Sequence, residues 1–153
     1  MYNIVLYQPE IPHNTGAIGR LALATGATLH LVKPLGFSID DTAVKRAGLD
    51  YWKDVDVKVW EDWTTFEQSV EALAGTCYFL TTKTEKTIYG TEFKKRDYLV
   101  FGPESRGLPE SILEKNPDTC LTIPMLSEST RSLNLATSVS IVLYEGVRQV
   151  NFK

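Results

Sequence analysis

The feature that most constrains this chain is a regular alternation of short strand-like runs with helical or turn-rich stretches. The runs are rich in β-branched and aromatic residues, which favour strands. They lie at residues 3–7, 28–32, 58–60, 77–81, 98–101 and 120–123. Strands that alternate with helices form a mostly parallel sheet with helices on its faces. The sequence therefore predicts an α/β fold.

Length and composition are those of one soluble domain. The 153 residues, of which 43% are apolar and 23% charged, suffice for a buried core, so we predict a single domain over residues 1–153. No apolar run is long enough to cross a bilayer, and the opening MYNIVLYQPE lacks the basic start and long apolar stretch of a signal peptide. We expect a cytoplasmic protein without a membrane segment.

The stretches between the strands carry signals for helix starts and ends. Asn14 is placed to cap a first helix and Gly26 to end it, because asparagine accepts from free N–H groups and glycine adopts the left-handed conformation. Further helices are predicted at residues 41–47, at residues 63–73 and from Pro109 onward.

The last predicted helix, residues 132–149, is apolar on more than one face. Its two apolar stripes comprise Leu135, Val139 and Val142, and Leu133, Ala136 and Tyr144. A helix of this kind must be covered on more than one side. We therefore expect it to pack on the sheet with one face and on a second subunit with the other, which predicts a homodimer.

The charge of the chain argues against bulk electrostatic binding of nucleic acid, because its net charge is −3. Local basic patches remain open: Lys45 and Arg46 are adjacent, and residues 94–96 are all basic. Short clusters of this kind are also common on solvated surfaces.

Cysteine and histidine residues show no metal-binding pattern. Cys77 and Cys120 lie in separate apolar runs without zinc-ligand spacing, so we interpret them as buried, reduced thiols. His13 lies between a proline and an asparagine in a predicted loop, and His30 lies within a strand-like run. We favour a solvated role for the first and a structural role for the second, and we predict no metal.

The glycine-containing stretch FGPESRGLP, residues 101–109, raises the question of a phosphate loop. A P-loop needs a lysine and a hydroxyl residue directly after its second glycine, whereas Leu108 and Pro109 follow Gly107 here. The chain after the first strand also lacks the glycine spacing of a dinucleotide site. Gly102 and Gly107 still allow close approach of the backbone to an uncharged ligand.

Arg20 lies at the midpoint of an otherwise apolar first helix. A guanidinium at such a place reaches either a carboxylate or phosphate partner, or solvent at the helix edge. The sequence pattern alone leaves both alternatives open.

Three segments together carry a family resemblance. IPHNTGAIGRLALATGATLHLV at residues 11–32, LVFGPESRGLP at 99–109 and LTIPMLSESTRSLNLATSVSIVLYE at 121–145 resemble, in order and spacing, the three motifs of the SPOUT superfamily of methyltransferases. The segment GFSIDDTAVKRAGLDYW at 36–52 is similar to the minimal branch that methylates the ribose of the tRNA wobble nucleotide. Strand order alone would indicate an open sheet, but the resemblance implies a deep trefoil knot in the C-terminal half.

The resemblance also implies a pocket for S-adenosylmethionine. Its predicted residues are Leu80, Gly102, Glu104, Ile123, Met125, Ser132, Leu133 and Asn134. Apolar side chains can flank an adenine, Gly102 lets the main chain approach, and Ser132 near a helix start offers polar donors. Glu104 and Asn134 could instead cap a helix or brace a loop.

The implied reaction is methylation of a ribose 2′-hydroxyl in the anticodon arm of a tRNA, with leucine tRNAs as the suggested substrates. Arg20 matches the residue that activates the hydroxyl in 2′-O-methylating relatives, and Tyr144 is a second candidate, with dimer packing as its alternative. Lys45, Arg46 and Arg131 are predicted to hold the RNA. A base methyltransferase of the same superfamily and a non-catalytic knotted RNA-binding protein remain as alternatives.

Overall fold

The structure is a computed structural model that describes residues 1–47, 49–71 and 75–152. Its described strands form one parallel sheet in the order β3-β2-β1-β5-β4-β6. The strands are β1 (Asn3–Tyr7), β2 (Thr28–Val32), β3 (Val57–Trp60), β4 (Cys77–Leu80), β5 (Tyr98–Phe101) and β6 (Cys120–Leu121). The prediction of a mostly parallel α/β sheet is confirmed.

The described α-helices lie between these strands in the chain, except α5, which follows the last strand. They are α1 (Pro12–Thr25), α2 (Thr42–Ala47), α3 (Trp63–Glu71), α4 (Glu110–Lys115) and α5 (Leu135–Asn151). Gly26 ends α1 in the left-handed conformation, with φ of 71°, as predicted. The predicted end of α3 at residues 72 and 73 lies outside the described residues.

Two predicted helix starts are wrong. Helix α1 begins at Pro12, with Ile11 as its N-cap residue, because the fixed φ of proline suits the first helical position; Asn14 therefore lies inside the helix. Helix α5 begins at Leu135 rather than at Ser132, because the side chain of Asn134 accepts a hydrogen bond from the backbone N–H of Thr137.

The sheet has an apolar layer on each side. Alternate residues of a strand point to opposite faces, so Ile4 of β1 packs in a cluster with α1 and α5, whereas Val5 packs in a second cluster with Phe66 of α3 and Ile112 of α4. The first cluster seats α5 closely: a Cβ atom added at Gly146 would lie 2.8 Å from the ring of Tyr2.

Helix α5 buries one face and leaves another partly open. Leu135, Val139 and Val142 are buried against the sheet as predicted, and Leu143 joins them. Ala136 and Ile141 are only partly buried, and Tyr144 is exposed. Within the described part of the chain, no helix is both long enough and apolar enough to cross a membrane.

His30 of β2 is structural, in agreement with the sequence interpretation. It is buried beside Phe66 and Tyr98, its Nδ1 accepts a hydrogen bond from the indole N–H of Trp60 at 3.1 Å, and its Nε2 donates to Oδ1 of Asn3 at 2.9 Å. These partners fit the neutral ring with its proton on Nε2. Burial, and secondarily Lys58, lowers the pKa of His30 to about 4.

The buried histidine predicts a loss of stability in mild acid. Because the pKa of His30 is lowered in the folded state, the unfolded chain takes up its proton first, and stability falls as the pH drops below the ordinary pKa of 6.5 toward 4. We expect the free energy of unfolding to fall by about 2 kcal/mol between about pH 7 and pH 5. Urea unfolding measures this, and a fall of the same size in His30→Gln would contradict the assignment.

Candidate active site

A cavity of about 540 Å³ opens at the carboxyl ends of β4, β5 and β6. Ligands bind at this edge of parallel α/β sheets, and the volume suits a nucleoside-sized molecule. The walls are residues 80–83 at the end of β4, residues 101–108 at the end of β5, and residues of the segment that leads from β6 into α5. Ile11 and Asn14, at the start of α1, complete the lining.

The structure brings the predicted cofactor residues together in this cavity. All of them line it: Leu80, Gly102, Glu104, Ile123, Met125, Ser132, Leu133 and Asn134. Arg131, predicted to hold RNA, lines it as well. Their roles in binding stay predictions, but one cavity now joins residues from three separate segments of the chain.

Gly102 is required by the fold of its own loop. The sequence suggested that this glycine admits a ligand, but a Cβ atom added there would lie 2.3 Å from the backbone N of Leu108 and 2.4 Å from the carbonyl carbon of Gly107. Residues 102–108 thus fold back on themselves, helped by Gly107 with φ of 72°. A side chain at residue 102 would force the cavity wall to open.

Glu104 braces the cavity wall against the start of α1. Its Oε1 accepts from the backbone N–H of Glu10 at 2.8 Å, and its Oε2 accepts from the N–H of Ile11 at 2.8 Å and from Nδ2 of Asn14 at 3.3 Å. Such bonds occupy N–H groups that a helix start leaves free. The alternative of a loop brace, which the sequence left open, describes these contacts best.

Glu10 makes the reciprocal contact in the opposite direction. Its carboxylate accepts from both the backbone N–H of Ser105 at 2.8 Å and the Ser105 hydroxyl at 3.0 Å. These hydrogen bonds lower the pKa of Glu10, because they favour the ionised carboxylate. Two glutamates thus fasten the loop after β1 to the loop after β5.

Asn14 connects all three motif segments. Its Nδ2 donates to Glu104, and its Oδ1 accepts from Nδ2 of Asn134 at 3.1 Å. The Oδ1 atom of Asn134 in turn accepts from the backbone N–H of Thr137 and so caps α5. Both polar atoms of the Asn134 side chain are therefore already hydrogen-bonded. Sequence reasoning assigned Asn14 to a cap and missed this connection; the available signal was one amide or carboxylate side chain in each motif.

Ser132 lines the cavity, but it lies before α5 rather than at the start of that helix. Helix α5 begins at Leu135, so Ser132 lies in the turn before the helix, where its carbonyl accepts from the hydroxyl of Thr130 at 3.0 Å. The N–H donors of the helix start therefore do not lie at Ser132. The rim carries charge as well, since Lys83, which lines the cavity, is paired with exposed Glu110.

The two predicted catalytic residues lie outside the cavity of one protomer. Arg20 is exposed on α1 and Tyr144 is exposed on α5, two helices that pack together, and neither is a lining residue. Lys45 and Arg46 are exposed in the last turn of α2, which packs on α1, and neither of them lines the cavity, whereas Arg131 does. One protomer thus keeps the predicted catalytic and cofactor residues apart.

The cysteines are free thiols, as predicted: Cys120 is buried and Cys77 is partly buried. Burial raises the pKa of the Cys77 thiol to about 12, which makes it a poor nucleophile. Over residues 1–47, 49–71 and 75–152, no group of three or more His, Cys, Asp or Glu side chains is placed to hold a metal ion.

Known proteins resemble the chain over nearly its full length. It is 50% identical to the tRNA (cytidine(34)-2'-O)-methyltransferase of Methylovorus glucosotrophus, over 99% of this chain and 97% of that protein. It is 51% identical to the enzyme of the same name from Aeromonas hydrophila, over 99% of this chain and 96% of that protein.

Solved structures share the fold. One, described as giving "Structural insights into the 2-OH methylation of C/U34 on tRNA", matches with a TM-score of 0.91 and 44% identity, over 100% of this chain and 98% of that chain. The SpoU methyltransferase AviRb from Streptomyces viridochromogenes, in complex with the cofactor AdoMet, matches with a TM-score of 0.86 and 24% identity, over 96% of this chain and 57% of that chain.

The family model described as the SpoU rRNA Methylase family matches residues 1–144. The match includes the first two motif segments and all but the last residue of the third, which confirms the family resemblance carried by these residues. The chain therefore belongs to the SpoU rRNA methylase family.

Proposed function

We propose that this protein transfers a methyl group from S-adenosylmethionine to the ribose 2′-hydroxyl of the tRNA wobble nucleotide. The observation that carries the proposal is the identity of 50% and 51%, over nearly the full chain, to two enzymes named tRNA (cytidine(34)-2'-O)-methyltransferase. The substrate nucleotide is cytidine or a modified uridine, carried by leucine tRNAs. A tRNA substrate also implies that the protein acts in the cytoplasm.

The cavity at the ends of β4, β5 and β6 suits the cofactor. Leu80, Ile123, Met125 and Leu133 supply apolar surface for an adenine, and the backbone of the folded loop 102–108 supplies polar groups for the remainder. The binding of AdoMet by the structural neighbour AviRb supports this assignment. When bound, S-adenosylmethionine supplies an electrophilic methyl group carried on a sulfonium.

The task of the chain's own residues is to position the ribose and to stabilise charge on its hydroxyl oxygen. Arg20 performs this task as a cation, because a guanidinium stays protonated and stabilises an emerging alkoxide or holds a neighbouring phosphate. Tyr144 is exposed on α5 and either offers a hydroxyl to the same reaction or packs in the dimer. Lys45, Arg46 and Arg131 bind the phosphates of the anticodon arm.

Two subunits complete each site. Arg20 and Tyr144 are exposed, whereas the cofactor residues line a cavity that neither of them reaches within one protomer. Exposed apolar side chains lie on the same two helices, with Leu23 on α1 and Tyr144 on α5. A homodimer through α1 and α5 covers this surface and brings Arg20 of one subunit to the cavity of the other.

The C-terminal half forms the trefoil knot of the superfamily. Strand β6 lies at one edge of the sheet, while α5 packs in the apolar cluster with β1 and β5, so the chain must return across the sheet between Leu121 and Leu135. On this path it shares the cavity with the loop after β5. Passage of the returning segment through that loop is the proposed knot, and tracing the chain in an experimental density map tests it.

Mapping of ribose methylation on a defined tRNA tests the function. Purified protein, S-adenosylmethionine and unmodified leucine tRNA should yield a methyl group on the ribose of nucleotide 34, detected by mass spectrometry as a nuclease-resistant dinucleotide. A tRNA with a 2′-deoxy sugar at that nucleotide is the control and should accept no methyl group. Label on a base would favour a base methyltransferase, and tRNA binding without transfer would favour a non-catalytic RNA-binding protein.

A further inference from the structure

The aromatic residue Tyr51 lies directly beside the predicted catalytic arginine. The guanidinium carbon of Arg20 lies 5.5 Å from the centre of the Tyr51 ring, within the range of a cation–π contact. Tyr51 belongs to a 3-10 helix, Leu49–Asp54, that packs on α1, and the side chain is 48% exposed. An aromatic side chain left half exposed in this way is not explained by core packing.

The contact is built by the residues next to it in sequence. A Cβ atom added at Gly19 would lie 2.5 Å from Cζ3 of Trp52, so the absence of a side chain at Gly19 lets the Trp52 ring lie against α1. Gly19 precedes Arg20 and Trp52 follows Tyr51, so seating the indole on the glycine sets the tyrosine ring beside the guanidinium. The contact of Gly19 with Trp52 and the contact of Arg20 with Tyr51 thus fix the position of the 3-10 helix on α1.

A cation–π contact is suited to a guanidinium that must act on an anion. A carboxylate partner would occupy the N–H groups of Arg20 and cancel part of its charge, whereas an aromatic ring neutralises none of the charge and leaves the N–H groups available. The ring also reduces the number of conformations that the long side chain must give up when substrate binds. Both effects favour a preorganised cation.

We propose that Tyr51 is a positioning residue for ribose methylation, which acts by holding the Arg20 guanidinium in its working orientation. This inference rests on the proposed function and on the role of Arg20 within it. When RNA and a second subunit exclude water from the contact between Arg20 and Tyr51, this cation–π contact holds the guanidinium more strongly than an exposed one does. Tyr51 therefore affects turnover, and cofactor binding is independent of it because the cavity lies elsewhere.

The test compares Tyr51→Phe with Tyr51→Leu under saturating tRNA and cofactor. The phenylalanine variant keeps the ring and should retain wild-type kcat, whereas the leucine variant should lower kcat on the order of tenfold with an unchanged Kd for S-adenosylmethionine. Tyr89→Leu, at a tyrosine that is 60% exposed on another 3-10 helix, is the matched control and should match wild type. Equal kcat in the leucine variant and wild type would overturn the proposal.

A double-mutant cycle with Arg20→Ala separates positioning from direct contact with RNA. If Tyr51 acts through Arg20, then Tyr51→Leu should cause no further loss in the Arg20→Ala background, measured in single turnover with excess enzyme. Losses that multiply, or a rise in the KM for tRNA at constant kcat, would instead assign Tyr51 to RNA stacking and overturn the proposal. Wild-type protein that fails to methylate nucleotide 34 would refute the proposed function itself, and an Arg20→Ala variant with full activity would refute the role of Arg20.

Discussion

Replacing Arg20 by alanine should lower the rate of methyl transfer by about a hundredfold to ten-thousandfold while the Kd for S-adenosylmethionine stays unchanged. The rate falls because the emerging alkoxide loses the cation proposed to stabilise it. Affinity for the cofactor persists because Arg20 does not line the cavity of its own subunit and, across the interface, acts on the ribose oxygen rather than on the cofactor. Single-turnover transfer to leucine tRNA and calorimetry with the cofactor measure the two quantities separately. Loss of cofactor binding in Arg20→Ala would contradict this separation.

Lys45 and Arg46 provide the contrast to Arg20, since they are exposed cations on the neighbouring helix α2. Contacts to phosphate strengthen binding and make it salt-dependent without entering the chemical step. The double change Lys45→Ala/Arg46→Ala should therefore raise the KM for tRNA and flatten its dependence on salt, with kcat at saturating tRNA close to wild type. A fall in kcat alone would place these residues in the chemistry instead.

The strands were predictable because each is short and rich in apolar, β-branched or aromatic residues. β1, β2 and β5 have the predicted limits, since parallel strands covered on both faces need largely apolar sequence. The helix starts were less predictable because they depend on competition between neighbouring caps. Helix α1 begins at Pro12 because the fixed φ of proline suits the first helical position. Helix α5 begins after Asn134 because the side chain of Asn134 accepts from the backbone N–H of Thr137.

The site was predictable as a set of residues but less so in its physical roles. The motif resemblance selected eight residues as cofactor-binding, and all eight line the cavity. It did not reveal that Gly102 relieves a collision inside its own loop, or that both carboxylate oxygens of Glu104 accept from backbone N–H groups just before α1. The contact of Arg20 with Tyr51 was also invisible, because it joins residues 31 positions apart whose registration depends on Gly19 and Trp52.

Replacing Gly102 by valine should weaken the binding of S-adenosylmethionine by roughly tenfold to a hundredfold. The added Cβ would lie 2.3 Å from the backbone of Leu108, and backbone cannot move aside as a flexible side chain can. The loop 102–108 must therefore open, and strain of about 1–3 kcal/mol stands between the altered wall and its binding conformation. Calorimetry with the cofactor measures the loss, while circular dichroism should show the native helix content.

Gly90→Val is the matched control for this change. A Cβ atom added at Gly90 meets no atom within 4 Å, so the same valine there should leave cofactor affinity at the wild-type value. If Gly102→Val and wild type bind S-adenosylmethionine with equal affinity, either the loop 102–108 tolerates a side chain or this wall of the cavity does not contact the cofactor. Either result would contradict the prediction.

Combining the two impaired variants tests whether each site is built from both subunits, provided that the assay uses a cofactor concentration well below the Kd of Gly102→Val. A heterodimer of one Arg20→Ala subunit and one Gly102→Val subunit contains one site with an intact cavity and an intact Arg20, if the arginine acts across the interface. The purified heterodimer should then recover about half of the wild-type activity, since one of its two sites is complete. If Arg20 acts on the cavity of its own subunit, neither site is complete and the heterodimer should stay inactive. Light scattering of the wild-type protein provides the companion measurement, because a stable monomer at micromolar concentration would exclude a shared site.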